Sequence, residues 1–172
     1  MLKNNQPTAS IQKVLIFTVQ TQKVADRQVY FLFSIKQMED ILMGTLITPV
    51  PFSPSYLKGI AQWHDNVVPV ISLEECLGLE PSNHMQDTRT IVLRVPTREV
   101  GHQGRHRIML QVVPPFRMLA MPIDCDPVSY DWIPARHLVR GVYEWENNLL
   151  VIAHTGKILD GVIDSNSGNT TA

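Results

Sequence analysis

The stretch YLKGIAQWHDNVVPVISL, residues 56–73, decides the fold because it consists of two apolar runs around a polar break. The first run ends at Trp63, the break is His64-Asp65-Asn66, and the second run begins at Val67. Short apolar, β-prone runs around Asp and Asn predict a hairpin of two buried strands. Pro69 cannot donate to a β ladder, so part of the second strand should lie at an edge or be irregular.

The same pattern returns in the second half of the chain. Both copies have a basic residue, a Gly, an apolar residue, a Trp and then an Asn before a second apolar run. The matched positions are Gly59 and Gly141, Trp63 and Trp145, and Asn66 and Asn148. Either two ordinary hairpins share their turn chemistry, or two similar β units pack as a pseudo-symmetric pair. In both cases the two tryptophans are more typical of a barrel core than of an interface.

Length and composition limit the classes of protein to consider. A chain of 172 residues forms one domain, or two small ones that share an interface. Its net charge of −1 provides no field that would attract nucleic acid or an anionic membrane. No apolar run is long enough to span a bilayer, and the first residues lack the apolar core of a signal peptide. Cys76 and Cys125 have no CxxC spacing, which suits a reducing compartment. We therefore expect a soluble, cytoplasmic protein without membrane insertion.

The remaining sequence consists of short elements. Strands are predicted at residues 14–19, 28–35, 46–50, 90–95, 108–113 and 116–121, and the second hairpin at 139–153. Residues 36–42 favour a strand over one turn of helix. Ser72, Glu75 and Gly78 are typical of the cap and end of a brief helix, and residues 157–163 predict another. A disordered lead (1–12) and a disordered tail (164–172) flank a domain at 13–163. About ten short strands with two short helices indicate an all-β barrel architecture.

The sequence offers few residues for chemistry. His102 and His106 have a metal-like spacing, but Glu99 is the one carboxylate near them, and zinc requires at least three protein ligands. Arginines surround the two histidines, and Arg94 and Arg107 stand at the two ends of this segment. The arginines predict a solvated basic loop. The loop lacks the aromatic residues that stack on bases in nucleic-acid sites. Asp124 and Asp126 precede a proline and are more typical of a turn than of a cation site.

The motifs of hydrolases, nucleotide-binding proteins and zinc proteases are missing from the sequence. We therefore predict a protein that is not an enzyme and has no cofactor or metal.

Three blocks of the sequence resemble the CheW-like domain, the coupling module of bacterial chemotaxis. They are MEDI at residues 38–41, PFSPSYLKGI at 51–60 and VVPVISL at 67–73, and the spacing of the last two matches the family without a gap. Residues 107–113 are similar, more weakly, to a strand of the family's second barrel, and residues 138–142 to its later hairpin. The resemblance covers about residues 14–163.

This resemblance implies a mainly β fold of two small five-stranded SH3-like β-barrels packed together, with short helices. It also implies a function without catalysis. CheW-like proteins bridge the cytoplasmic hairpins of chemoreceptors and a histidine kinase (CheA-like) whose regulatory domain has the same fold. They present one surface to each partner, and a groove between the barrels takes an amphipathic helix.

The chain departs from the family at the tip of the hairpin. The family has Asn-Leu-Arg-Gly where this chain has Gln-Trp-His-Asp at residues 62–65. The family arginine pairs with an acid that Asp40 matches here, and exchanging that arginine for His64 shortens the reach. Either His64 and Asp40 still meet, which would make the joint pH-sensitive, or both groups are solvated. Asp65 in place of Gly also reduces the freedom of the turn.

These departures predict a divergent member of the family. Such a member would serve a pilus-motility array or another non-flagellar array, or act as a scaffold outside such arrays. The residues expected to bind partners lie on the strand that leads in and around the hairpin. They are Met38, Asp40, Ile41, Gly59, His64, Asp65, Val67 and Pro69. Gly59 should permit close backbone packing, and Val67 and Pro69 could equally belong to the core.

The sequence leaves two alternatives from other classes open. The first is an SH3- or OB-like barrel that binds nucleic acid, or another protein outside chemotaxis. The near-neutral charge argues against nucleic acid, and a salt titration of binding to generic RNA would test it. The second is an accessory protein that binds a small molecule, which would need a deep apolar pocket with convergent polar groups.

Overall fold

The two hairpins occupy matching places in two β-sheets. The structure is a computed structural model that describes residues 12–18, 24–81, 88–95 and 106–167, with side chains up to residue 162. Its strands are β1 (Lys13–Thr18), β2 (Val29–Ser34), β3 (Met38–Met43), β4 (Leu57–Trp63), β5 (Asn66–Ile71), β6 (Arg89–Val95), β7 (His106–Val112), β8 (Phe116–Ala120), β9 (Asp126–Pro127), β10 (Val139–Trp145) and β11 (Asn148–Ala153). The α-helices are α1 (Leu73–Cys76) and α2 (Thr155–Ser167), and 3-10 turns cover Ile35–Gln37 and Arg136–Leu138.

The strands form one sheet of six and one of five. The six-stranded sheet has the order β8-β1-β2-β11-β10-β9, and the five-stranded sheet has the order β3-β6-β7-β5-β4. In each sheet the tryptophan-bearing hairpin joins an antiparallel pair through one parallel contact, β11 with β2 and β5 with β7. The five-stranded sheet therefore uses the middle of the chain, and the six-stranded sheet combines its two ends.

The registers of the two hairpins agree position by position. Trp63 faces Asn66 across the first hairpin, as Trp145 faces Asn148 across the second. The register shifts between Leu57 and Gly59 in β4 and at the matching place in β10, so the basic residue of each repeat lies at the irregularity. The structure therefore supports the pseudo-symmetric pair over two unrelated hairpins.

The buried side chains form one shared core and two smaller ones. The large cluster combines Phe17 and Phe31 of the six-stranded sheet with Ile91 and Leu110 of the five-stranded sheet. A small cluster of the five-stranded sheet contains Ala61, Val68, Val70, Val92 and Met109, and one of the six-stranded sheet contains Ile16, Trp145 and Leu150. Successive side chains of β5 point to opposite faces of the sheet, so Val68 and Val70 are buried while Val67 is exposed. This alternation separates the small core cluster from the exposed face.

The brief helix α1 forms as its capping signals predict. The Ser72 hydroxyl accepts a hydrogen bond from the backbone N–H of Glu75 at 3.3 Å. Gly78 adopts φ +74° directly after the helix, a conformation that glycine tolerates without strain. The Ser72 cap and the Gly78 conformation therefore limit the helix to four residues. The helix lies between the surface and the core that the two sheets share.

The mainly β architecture with few short helices is confirmed, but several details differ from the expectations. The six-stranded sheet has one strand more than the expected five, the two-residue β9. Strand β7 lies in the same sheet as the first hairpin and not in the second unit. Residues 46–50 form one isolated bridge, between Thr48 and Ile60, where a strand was expected.

At the end of the described chain, α2 continues to Ser167, past residue 163 where the sequence predicted the last helix to end. Both cysteines are free thiols. Residues 1–11 and 168–172 lie outside the described residues, as do His102 and its loop.

Candidate functional site

The first hairpin closes with a tight two-residue turn. His64 adopts φ +51°, the left-handed conformation that two-residue hairpin loops require. His64 and Asp65 are both exposed at this tip, and the His64 ring lies edge-on to Trp63 with 4.4 Å between ring centroids. Pro69 faces Ile60 in β4, and β5 pairs with β7 only from Val70 onward. The first half of β5 therefore has strand pairing on one side, as Pro69 predicts.

Gly59 makes the close backbone approach that the sequence predicts. It has φ +144°, and a Cβ atom there would lie 2.3 Å from the carbonyl oxygen of Thr48. The backbones of Thr48 and Ile60 exchange hydrogen bonds of 2.8 and 2.9 Å next to it. Gly59 itself is buried, so its part in the site is to hold residues 45–48 against β4 rather than to offer a contact.

The Asp40 carboxylate bonds to Trp63. The indole Nε1 of Trp63 donates to Asp40 Oδ2 at 3.1 Å, and the backbone N–H of Ile41 donates to Asp40 Oδ1 at 2.8 Å. Of the two alternatives left open for His64 and Asp40, the second holds for His64, which is exposed. It is wrong for Asp40, because the Asp40 carboxylate is bound by Trp63. Because β3 and β4 are the outer strands of the five-stranded sheet, this bond draws the two edges together.

A carboxylate that the sequence analysis overlooked lies beside this joint. Glu39 lies at the register shift of β3 and accepts hydrogen bonds from Arg94 Nη2 at 2.7 Å and from Arg107 Nε. The Arg107 guanidinium also stacks over Trp63, 4.9 Å from the ring centroid. Arg94 and Arg107 are thus strand residues bound to an acid, which corrects their assignment to a solvated loop. The arginines hold the pKa of Glu39 below its usual value, with the Arg107 hydrogen bond as the main cause.

The lowered pKa of Glu39 predicts a contribution to stability that acid removes. A depressed folded-state pKa stabilises the protein above the ordinary glutamate value of 4.5, and the contribution disappears as the pH falls through the folded-state value. Glu39→Gln should cost about 1 kcal/mol near neutral pH, because Arg94 is 43% exposed and partly screened. Chemical denaturation at a series of pH values measures this, and the difference between wild type and variant should shrink below pH 4.5. A difference that stays constant with pH would contradict the assignment.

An apolar groove opens between the end of β3 and the outer face of the hairpin. This β3–hairpin groove has a volume of about 500 Å³. It is lined by Leu42, Met43, Thr45, Leu46, Thr48, Ile60, Ala61, Gln62 and Val67. Three of its large apolar side chains are mostly exposed, Met43 at 72%, Leu46 at 86% and Val67 at 69%. Water therefore covers an apolar surface that no part of the described chain packs against.

One buried polar atom of the groove is left without a partner. Thr45 Oγ1 is the buried side-chain oxygen that has no hydrogen-bond partner among the described residues. Buried hydroxyls are nearly always hydrogen-bonded in native proteins, and an unsatisfied one costs free energy. The free chain thus leaves one buried hydroxyl unsatisfied at a residue that lines the groove.

The residues expected to bind partners divide into two groups. The first group is exposed: Val67 lines the groove, and Ile41, His64 and Asp65 are exposed and lie within a few residues of its lining in the sequence. Gly59 is buried, while Met38, Asp40 and Pro69 are partly buried, with Met38 packed on the shared core and Asp40 bound to Trp63. Met43, Thr45 and Leu46 also line the groove and were not among the residues predicted to bind partners. The signal that could have found them is the short break Gly44-Thr45 between the apolar residues Met43 and Leu46.

The rest of the described chain adds little chemistry. No group of three or more His, Cys, Asp or Glu side chains that could hold a metal ion occurs among the residues described. Within the same residues, no helix has the length and apolar character to cross a membrane.

Comparison with known proteins gives a consistent result. A model of the CheW-like domain matches residues 13–105, more than half of the chain. A search of curated proteins finds no significant match. Among solved structures, the scaffolding protein TtCheW from Thermoanaerobacter tengcongensis is similar over 91% of this chain and 91% of its own, with 18% identity and a TM-score of 0.61. At that identity the likeness concerns the fold, which agrees with the two sheets described above. The chain therefore belongs to the CheW-like domain family.

Proposed function

We propose that this chain is a non-catalytic coupling protein of a chemotaxis-like signalling system, which bridges the cytoplasmic tips of chemoreceptors and a CheA-like histidine kinase. Because of the departures at residues 62–65, the array would be one of pilus motility or another non-flagellar type. The site of coupling would be cytoplasmic. Family membership supports the general role, and the β3–hairpin groove is the observation that carries the docking proposal.

The composition of the groove fits a protein partner. Met43, Leu46 and Val67 together offer aliphatic side chains that would gain free energy on leaving water, about 25 cal/mol per Å² of apolar area. Such an exposed apolar patch beside polar residues is typical of protein–protein contacts.

The frame around the groove is held in place before any partner arrives. The Thr48–Ile60 bridge fixes residues 45–48 on β4, and the Trp63–Asp40 hydrogen bond fixes the opposite edge. Arg107 adds a third constraint because it links Glu39 of β3 to the Trp63 ring. A preformed surface loses little conformational entropy on binding, which favours docking over induced folding.

Val67→Asp tests the proposal. The substitution should lower the affinity for one of two purified probes, the kinase regulatory domain or the receptor hairpin, by about 10- to 100-fold, because it buries a charge in an apolar contact. Since Val67 is exposed in the free chain, the free energy of unfolding should change by less than about 0.5 kcal/mol. Isothermal titration measures the first quantity and chemical denaturation the second.

Met118→Asp is the matched control, because Met118 is also an exposed apolar residue on a strand, but it lies on β8 of the other sheet. It should leave both affinities unchanged. Equal effects of the two substitutions would refute the groove as the docking site. If wild type binds neither probe, the coupling function itself is wrong.

A further inference from the structure

A second concave site, which the proposed function does not use, lies where the two hairpin units meet. It is bounded by α2, α1 and the 3-10 turn before β10, and its volume is about 570 Å³. We call it the α2 pocket. Tyr56 and Cys76 in its lining flank the first hairpin, and the other lining residues come directly before and after the second hairpin. Small-molecule sites are often found at such a junction of two units.

Backbone hydrogen bonds hold the walls of the α2 pocket in place. The backbone N–H of Ala135 donates to the Leu77 carbonyl at 3.1 Å, which joins the 3-10 turn to the end of α1. The backbone N–H of His154 donates to the Leu138 carbonyl at 2.7 Å, and the backbone N–H of Lys157 donates to His154 Nδ1 at 3.3 Å. These two bonds fix the start of α2 beside the same turn. A site with fixed walls loses little conformational entropy when a ligand binds.

The floor of the pocket is apolar. Cys76 and Ile158 are buried, and Tyr56 and Leu138 pack against the shared core. The Cys76 thiol is uncharged because burial raises its pKa to about 12, so it acts as a small apolar group. Gly161 lines the pocket without a side chain, and a Cβ atom there would meet nothing within 4 Å. The floor therefore has room for an apolar group of a ligand.

Two opposite charges stand at the rim of the pocket. Lys157 and Asp160 are exposed and lie three residues apart on α2, which makes them neighbours on the helix surface. None of the ion pairs within the described part of the chain includes either of them. Lys157 Nζ donates to the backbone carbonyl of His137, the third polar residue of the lining, at 3.1 Å. An ammonium has three N–H groups, so this bond leaves two of them for a ligand.

We infer that the α2 pocket binds a free α-amino acid with a large apolar side chain. Its carboxylate lies against Lys157, its ammonium against Asp160, and its side chain on the apolar floor. A zwitterion fits because its two charged groups are attached to one carbon atom, as close together as the two charges on the rim. A plain carboxylic acid would meet the Asp160 carboxylate, and a plain amine would meet the Lys157 ammonium, each as a repelling like charge. The inference develops the small-molecule alternative that the sequence leaves open, and it does not rest on the proposed function.

Titration with L-phenylalanine and with L-leucine, followed by two-dimensional NMR of the backbone amides, tests the inference. At least one of them should shift the amides of residues 157–161 to saturation, with a Kd of about 0.1–1 mM for a ligand of roughly ten heavy atoms. Glycine carries the same two charged groups without an apolar side chain and should not reach saturation in that range. The absence of saturable shifts with both apolar amino acids would overturn the inference, and so would equally tight binding of glycine.

Two analogues of phenylalanine assign the two charges. Phenylpropionate lacks the ammonium and phenethylamine lacks the carboxylate, so each should bind less tightly than the amino acid. Asp160→Asn should weaken the binding of the amino acid about three- to tenfold but should not weaken that of phenylpropionate. Lys157→Gln should weaken the amino acid similarly and spare phenethylamine, and its amide can still donate to the His137 carbonyl. If phenylpropionate binds wild type as tightly as the amino acid does, the occupant is a carboxylic acid and the inference is wrong.

Gly161→Leu locates the site. Leucine should fill the α2 pocket and abolish the saturable shifts, while the melting temperature stays equal to that of wild type or rises, because leucine favours a helix over glycine. Unchanged binding by this variant would place the amino acid elsewhere and overturn the inference. A melting temperature below that of wild type would show that the chain itself needs the space, which contradicts an open pocket. The Asp160→Asn series changes an exposed side chain and tests the inference independently of this variant.

Discussion

Gly59→Ala is expected to destabilise the protein by about 3 kcal/mol or more. The new Cβ would lie 2.3 Å from the Thr48 carbonyl oxygen and 2.8 Å from Ile47 Cγ2, and a backbone oxygen in a β-bridge cannot move aside as a flexible side chain could. Steric overlap of this kind costs about 1–3 kcal/mol. The positive φ of +144° adds strain of similar size for any residue with a side chain. Urea denaturation followed by circular dichroism measures the loss.

Gly44→Ala separates the two causes. Gly44 also has a positive φ, +64°, but a Cβ atom there would meet nothing within 4 Å. Alanine at residue 44 should therefore cost only the dihedral strain, about 1 kcal/mol. Equal losses for the two variants would show that the approach of Thr48 to β4 is not what requires glycine at residue 59. The Gly59 variant should also lose binding at the β3–hairpin groove, because residues 45–48 form one wall of it.

Phe31→Ala should destabilise the protein by about 3–5 kcal/mol and unfold both sheets together. Phe31 is fully buried in the shared core, with its ring centroid 5.8 Å from that of Phe17. Removing the ring leaves a cavity that close-packed neighbours fill only in part. Because the same cluster contains Ile91 and Leu110 of the five-stranded sheet, the substitution should destabilise that sheet as well. Hydrogen exchange of the β1 and β7 amides, recorded at rising temperature, measures the unfolding of each sheet separately.

One coincident transition for the two sets of amides is the expected outcome. Met118→Ala provides a control, since Met118 is exposed on β8 and its removal should change the free energy of unfolding by less than about 0.5 kcal/mol. If β7 amides stay protected while β1 amides exchange, the two sheets are independent units and the shared core does not couple them.

The sequence contains enough local information to predict the hairpins and their repetition. Residues 56–73 contain two short apolar, β-prone runs around a polar break, and Asn66 and Asn148 follow two-residue turns that need left-handed backbone. Ser72 and Gly78 mark the limits of α1 in the same local way. These features depend on neighbours in the chain, and so they can be inferred from neighbouring residues.

What the sequence could not predict depends on contacts between distant residues. Nothing near Arg107 indicates that it would reach back to Glu39 on β3 and stack on Trp63, and so it was assigned to a solvated loop. The Trp63–Asp40 bond depends on how far the five-stranded sheet curves, which is a property of five strands together. The two-residue β9 is too short to give any periodic signal. The sequence therefore located the β3–hairpin groove only in part, through Val67.

The six-stranded sheet joins strands from opposite ends of the chain, and this has a consequence for biosynthesis. On the ribosome, β1 and β2 emerge before β3 to β7, and their neighbours β8 and β11 emerge after β7. The intervening strands β3 to β7 are consecutive and can assemble during elongation. Until β8 and β11 have been synthesised, the aromatic β1–β2 pair therefore lacks both of its outer neighbours. During that interval the β1–β2 pair is the part of the two sheets expected to bind chaperones that capture exposed hydrophobic strands.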